Sequence, residues 1–222
     1  MILLFPHLSS FKRKKILIIT HAGADVDAIA AAGALFFVLR KKNRVKVLVP
    51  EHISKPAKAF AARARVSYRL NGWRNFNAFD CLFLVDFNSL KMAGNAAPAI
   101  KCFKGRIYLI DHHTRTRERI SGQVAAFVNP DAVASCELVF ELLKRSRIKM
   151  EKRVAICIAA GIITDIFCSL EYFRSCAFIH SKPTSLNISW TDEHNGSASK
   201  LRSFNSIVSA VCFIALCADL RR

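Results

Sequence analysis

Three short apolar runs in this chain end abruptly in groups that titrate or bind metals. The run Ile16-Leu-Ile-Ile-Thr20 leads into His21, Asp25 and Asp27. Cys81 to Val85 leads into Asp86, and Arg106 to Ile110 into Asp111, His112 and His113. A further carboxylate, Asp165, ends an apolar helical stretch from Arg153 to Ile163. Mixed carboxylate and imidazole donors suit Mn, Fe, Co or Zn; Ca and Mg prefer oxygen alone. Four candidate carboxylates (Asp25, Asp27, Asp86, Asp165) with two or three imidazoles are too many for one tetrahedral zinc. They match two ions sharing a carboxylate, and such a pair, about 3.5–4 Å apart, clamps the attacking and leaving oxygens of a phosphoryl displacement. Each residue alone has an ordinary use. Asp25 can cap the following helix, Asp86 can cap a turn toward Leu90, and His112 or His113 can lie on a surface loop. Those uses do not explain why the ionisable groups gather at the same end of three runs.

The elements that must position these groups follow from the hydrophobic pattern. Ile16–Thr20, Val45–Val49, Cys81–Val85 and Arg106–Ile110 are continuous apolar or β-branched runs, the pattern of strands buried on both faces. Weaker strands are expected at Val66–Leu70 and Ala125–Val128. Helices are expected over Val26–Leu39, which is Ala-rich and free of Pro, and over Lys55–Arg65, Cys136–Lys144 and Arg153–Ile163. The alternation predicts an α/β fold, a mainly parallel sheet with helices on both faces. In such sheets ligands bind outside the carboxyl ends of the strands, where the three clusters converge.

Composition sets the bounds. The chain has 222 residues, 34 Lys plus Arg against 16 Asp plus Glu, a net charge of +18, and an apolar fraction of 52% with 17 Phe. That apolar content builds a core and excludes a disordered basic tail. Eight Cys without a Cys-x-x-Cys pair argue against a disulfide scaffold or a zinc ribbon. The apolar start precedes the basic run Lys12–Lys15, the reverse of a secretory signal, and no stretch reaches the roughly 20 apolar residues of a membrane span. The expectation is a cytoplasmic protein with reduced thiols and no membrane partner.

The residues also resemble a known family. His21-x-x-x-Asp25-x-Asp27, Asp86 after a strand, Asp111-His112-His113 and Thr164-Asp165 are similar to the four ordered motifs of the DHH phosphoesterase superfamily. The segment from Asn129-Pro130 to Ser135-Cys136-Glu137-Leu138-Val139 resembles the stretch between the third and fourth. The likeness covers residues 10–166. It is greatest for the branch of oligoribonucleases that also dephosphorylate phosphoadenosine phosphate, and for cyclic-dinucleotide phosphodiesterases.

The resemblance implies roles. His21 and Asp25 would hold a first manganese, Asp27, His112 and Asp165 a second, and Asp86 would bridge them, with Mg²⁺ or Co²⁺ as substitutes. A hydroxide activated by the two metals would attack phosphorus in short oligonucleotides, nucleotides or other small phosphorylated molecules. His113 would contact the scissile phosphate or leaving oxygen, and Asp111 would orient a neighbouring imidazole. Arg115 and Arg117 are candidate phosphate contacts, with a solvated basic loop equally open. Two alternatives remain: an inactive relative that binds nucleic acid, and a manganese-dependent inorganic pyrophosphatase. The oligomeric state is open, a homodimer included.

The pattern departs from the family after Asp165. Members normally add a substrate-binding domain with a Gly-Gly-Gly-His loop, and this chain has no Gly-Gly-Gly. Residues 1–166 are therefore expected to form the catalytic domain. Residues 167–222, richer in Ser, are expected to be an irregular, divergent tail, truncated or out of frame, and activity is expected to suffer accordingly. The basic excess divides unevenly too: 28 basic and 12 acidic residues fall in residues 1–165, which carry +16. That excess is expected to draw phosphorylated substrates toward the acidic cluster.

Overall fold

The computed structural model describes residues 4–72, 75–114, 120 and 122–180. The central sheet holds six strands, all paired in parallel: β1 (Lys15–Ile19), β3 (Arg44–Val49), β5 (Arg69–Leu70), β6 (Cys81–Val85), β7 (Arg106–Asp111) and β8 (Val124–Val128). Their order is β5-β3-β1-β6-β7-β8. A separate two-stranded parallel pair joins β2 (Gly23–Ala24) to β4 (His52–Ile53). Strands of two residues are too short to carry a periodic signal, so this pair is not visible in the hydrophobic pattern.

The continuous apolar runs are buried on both faces, as central parallel strands must be. Ile16 and Ile18 of β1 face one core; Leu17 and Ile19 face the other. On the first face lie α1 (Val26–Leu39), α2 (Lys55–Ala64), α4 (Ser135–Arg145) and α5 (Lys152–His180). The second face is covered more lightly, by a 3₁₀ stretch (Leu90–Ala96), by α3 (Ala97–Lys101), and by Phe76, Phe87 and Phe103. Phe5 and Phe11 pack edge-on against Phe83 and Tyr108, so these two phenylalanines are core material. Among the described residues no helix is long and apolar enough to cross a membrane.

Small residues set how closely the helices approach. α1 is buried along almost its whole length through Ala28, Ala30, Ala31, Ala32 and Ala34. At Gly161 of α5, a Cβ would overlap Asp27 Oδ1 and Cys136 Sγ. Only a glycine lets α5 close on the start of α4 while Asp27 stays between them.

Two expectations are corrected. Asp165 does not end its helix: α5 continues unbroken to His180, since neither Pro nor Gly occurs between Gly161 and Pro183. The helix therefore crosses residue 166, while residues 181–222 of the expected tail lie outside the described residues. The strand expected at Val66–Leu70 shrinks to Arg69–Leu70. Val66 is used otherwise: its N–H closes α2 on the Ala61 carbonyl, 2.9 Å away, and its side chain packs at Gly33.

Candidate metal centre

The parallel sheet delivers its carboxyl ends to one side, and there the ionisable residues meet. β1 ends before His21, β6 before Asp86, and β7 contributes Asp111 with His112 and His113 just beyond it. Helix α1 starts at this end and brings Asp25 and Asp27; α5 arrives from the far end and brings Asp165.

Asp86 sits at the middle of the cluster, 2% exposed. Its Oδ2 lies 3.6 Å from His21 Nε2, and its Oδ1 lies 3.5 Å from His112 Nε2. The Ser135 hydroxyl donates to Oδ1 at 2.8 Å. Its backbone is left-handed, with φ at +67°. A non-glycine residue rarely accepts this conformation, which costs on the order of 1–3 kcal/mol unless its surroundings hold it. Here the Asp86 N–H is held by the Ile110 carbonyl at 2.9 Å.

Two donor groups flank this carboxylate. His21, Asp25 and Asp86 form one; Asp27, His112 and Asp165 form the other, each with ligand atoms within 4.8 Å of one another. Asp86 also groups with His112 and His113. Asp25 does two jobs: its Oδ1 caps α1 by accepting the Ala28 N–H at 3.0 Å, and its Oδ2 lies 3.8 Å from His21 Nε2. Asp27 is buried against the start of α4, accepting the Ser135 N–H at 2.7 Å and the Cys136 N–H at 3.1 Å. Those two N–H groups lack helical partners, so a carboxylate there satisfies them and suits the helix dipole. His112 Nδ1 meets the Ala132 carbonyl at 3.3 Å and so carries a proton, and Nε2 is turned toward Asp86 and, at 3.5 Å, Asp165 Oδ2.

A separate relay fixes His113. Its Nδ1 bonds Asp111 Oδ1 at 2.7 Å, and the Asn88 amide donates to Asp111 Oδ2 at 2.6 Å. Asn88 also reaches the carbonyls of His113 and Thr114, at 3.3 and 3.2 Å, tying down the backbone after β7.

Burial and crowded negative charge shape the electrostatics. Burial, followed by the charges of Asp86 and Asp165, pushes Asp27 well above the usual carboxylate range. Burial and then the charge of Asp86 push Asp165 up to about 7. Burial works against a charged His112, yet its hydrogen bond to Asp86 and the charges of Asp86, Asp27 and Asp165 raise it to about 9. His21 rises in the same way: burial opposes, and Asp25 and Asp86 prevail. His113 rises chiefly through its bond to Asp111. Asp25 alone falls, because His21 and the Ala28 N–H outweigh its burial. Among the described residues, every ion pair reaching these carboxylates comes from an imidazole. The donors thus fit divalent cations: clustered oxygens and imidazole nitrogens, with too little positive charge of their own.

The structure brings together His21, Asp25, Asp27, Asp86, His112 and Asp165, with Asp111 and His113 alongside. Arg115 and Arg117 lie outside the described residues. Ser135, Asn88 and Gly161 were not singled out from sequence. Ser135 carried a usable signal, a hydroxyl at a helix start within a motif-like segment; Asn88 and Gly161 carried none.

Comparison with known proteins identifies the family. The family model for the N-terminal domain of the DHH family matches residues 15–162. The cyclic-di-AMP phosphodiesterase GdpP of Geobacillus thermodenitrificans is 27% identical over 161 residues, covering 68% of this chain and 24% of that protein. Its counterpart in Bacillus subtilis is 28% identical over 166 residues, with the same coverages. The chain thus spans about a quarter of the length of these relatives. In fold it is similar to an exopolyphosphatase-related protein from Bacteroides fragilis, with a TM-score of 0.55, 24% identity, and coverage of 75% of this chain and 53% of that one. With the parallel sheet, the ordered motifs and the matched segment in agreement, this chain belongs to the DHH family, whose N-terminal domain occupies residues 15–162.

Proposed function

We propose that the chain is a metal-dependent phosphoesterase acting on short oligonucleotides or nucleotides, served by two divalent ions, manganese foremost. The observation that carries this reading is the position of Asp86, whose two oxygens face two different imidazoles, each within its own donor group. His21 and Asp25 would hold one ion, Asp27, His112 and Asp165 the other, and Asp86 both. Such ions supply a hydroxide at neutral pH and neutralise charge developing on phosphoryl oxygens.

The chain's own residues do the remaining work. Ser135 and the first N–H groups of α4 orient Asp86 and Asp27, so the carboxylates stay in place while charge changes around them. Asp111 keeps a proton on His113 Nδ1 and leaves Nε2 for substrate. His113 is 46% exposed on its side chain, so it can reach a phosphate oxygen and give a proton to the leaving oxygen. Asn88 holds the Asp111 carboxylate and the loop carrying His113 in register. The relatives named cyclic-di-AMP phosphodiesterases support a phosphodiester within a small nucleotide, although the likeness covers only a quarter of their length.

A hydrolysis panel of dinucleotides, cyclic dinucleotides, nucleoside monophosphates and pyrophosphate, run with Mn²⁺ and with EDTA, tests the reading. Metal-dependent turnover of a nucleotide ester that Asp86→Ala abolishes is the expected result. Turnover of pyrophosphate alone, or of nothing, overturns it.

A further inference from the structure

The basic residues are not where the sequence led one to expect them. Lys12–Lys15 and Lys41–Arg44 are separated in the chain, yet two backbone hydrogen bonds lay them side by side: Arg13 N–H to the Lys42 carbonyl and Arg44 N–H to the Lys14 carbonyl, both 2.8 Å. All seven basic side chains of these segments are exposed. The patch lies at the amino ends of β1 and β3, the end of the sheet opposite the acidic cluster. Five residues of β1 at about 3.3 Å each put roughly 17 Å between the two ends. That is about twice the screening length of roughly 8 Å at physiological salt. The sequence expectation that this charge draws small substrates to the cluster is therefore corrected: among the described residues its densest part faces away.

More cations join the patch from other elements. Helix α1 ends there with Arg40, and α5 begins there with Lys152 and Arg153. The guanidiniums of Arg40 and Arg153 share one ring, 5.4 and 5.8 Å from the centre of Phe37. Helix-dipole stabilisation accounts for Arg40 at a C-terminus. It does not account for Lys152 and Arg153, which stand unfavourably in the first turn of α5 with no acidic residue beside them in that turn. Among the described residues two carboxylates touch the patch: Glu151 pairs with Lys41, and Asp80 accepts the Lys15 backbone N–H at 2.7 Å. This is more like charge than helix stability calls for, gathered by the fold from three chain segments.

We infer that this end of the molecule is a second binding surface, separate from the metal centre, for the phosphate backbone of nucleic acid. Neither zipped segment offers an exposed apolar side chain, and among the described residues of the adjoining first turns of α5 only Ile156 is a large exposed apolar one, too little for the wedge that a membrane-surface site inserts. Its neighbouring aromatics Phe11, Phe36 and Phe37 are buried, so no base stacks on them. Contact is with phosphates, and binding is independent of sequence.

The test uses the full chain with EDTA present, so that hydrolysis plays no part, and labelled duplex DNA of two unrelated sequences. Anisotropy is read between about 50 and 200 mM salt. Two charge-matched variants are compared: Lys12→Glu with Lys42→Glu on the patch, and Lys55→Glu with Lys58→Glu at the start of α2, on the other end. Both sequences are expected to bind alike, with affinity falling steeply with salt. The patch variant is expected to lose at least tenfold in affinity and about two units of salt slope, against less than threefold for the control. Thermal melting checks that each variant folds, and Lys14→Glu with Lys152→Glu replaces the first pair if it does not. Equal losses in both variants, no binding by the parent chain, displacement by a dinucleotide, or a preference for phosphatidylserine vesicles over DNA would each overturn the inference.

Discussion

Two aspartates bracket β6, one at each end, and they do different work. Asp80 precedes the strand, is exposed, and accepts a single backbone N–H from Lys15. Asp86 follows it, is buried in a left-handed backbone, and faces three imidazoles. Residue type and strand are shared; what differs is what the topology brings to each end. At the carboxyl end α1, α4 and α5 converge with further carboxylates, whereas at the amino end the chain gathers cations.

The largest expected difference comes from removing each in turn. Asp86→Ala is expected to lower metal-dependent turnover on the order of 10³-fold or more, the several kcal/mol that metal ions contribute to such a barrier. Asp80→Ala is expected to leave turnover within twofold and to cost about 1 kcal/mol in chemical denaturation, the value of one hydrogen bond. Comparable losses of turnover would break the comparison.

Next are the residues that hold the carboxylates. Ser135→Ala is expected to weaken metal binding by about 10–100-fold while the fold persists, as read by calorimetry and circular dichroism. Asn88→Ala is expected to lower kcat by a similar factor with little change in metal affinity, because it acts on His113 through Asp111. Gly161→Ala is expected to destabilise the chain by roughly 1–3 kcal/mol, since the added methyl overlaps Asp27 and Cys136.

The last expected effect is on pH dependence. Asp165 rises from 3.8 to about 7 and His112 from 6.5 to about 9, so in the metal-free protein both bind protons more tightly folded than unfolded. Their contribution to stability is full at low pH. Asp165 loses its share as pH rises from about 4 through 7, and His112 loses its share through 9. Melting temperature in EDTA is expected to fall between pH 5 and 9. Because metal binding needs deprotonated ligands, the gain on adding Mn²⁺ is expected to grow over the same range. A metal-free melting temperature that rises with pH would contradict this account of the cluster.

Much of this was legible in the sequence because parallel strands announce themselves. Runs such as Cys81–Val85 have no polar face, and each ends where the chemistry begins. The ionisable residues at those ends could therefore be singled out from the runs, while their division into two donor groups follows from the resemblance to the DHH family. What stayed hidden depends on contacts between distant segments. Ser135 reaches Asp86 across 49 positions, and Gly161 matters only because Asp27 and Cys136 occupy the space its side chain would need. The basic patch was misread for the same reason, since a count of charges does not tell which end of a sheet they occupy. The length of α5 was legible in principle, from the missing Pro and Gly, but the motif at Asp165 drew the boundary too early.

The central claim, that the acidic cluster is a divalent-metal centre built around Asp86, is tested most directly by titrating the full chain with Mn²⁺ in a calorimeter, beside Asp86→Ala. The account expects two ions to bind the parent chain and the variant to lose at least one of them. No binding by the parent chain, or identical isotherms for both, would contradict it.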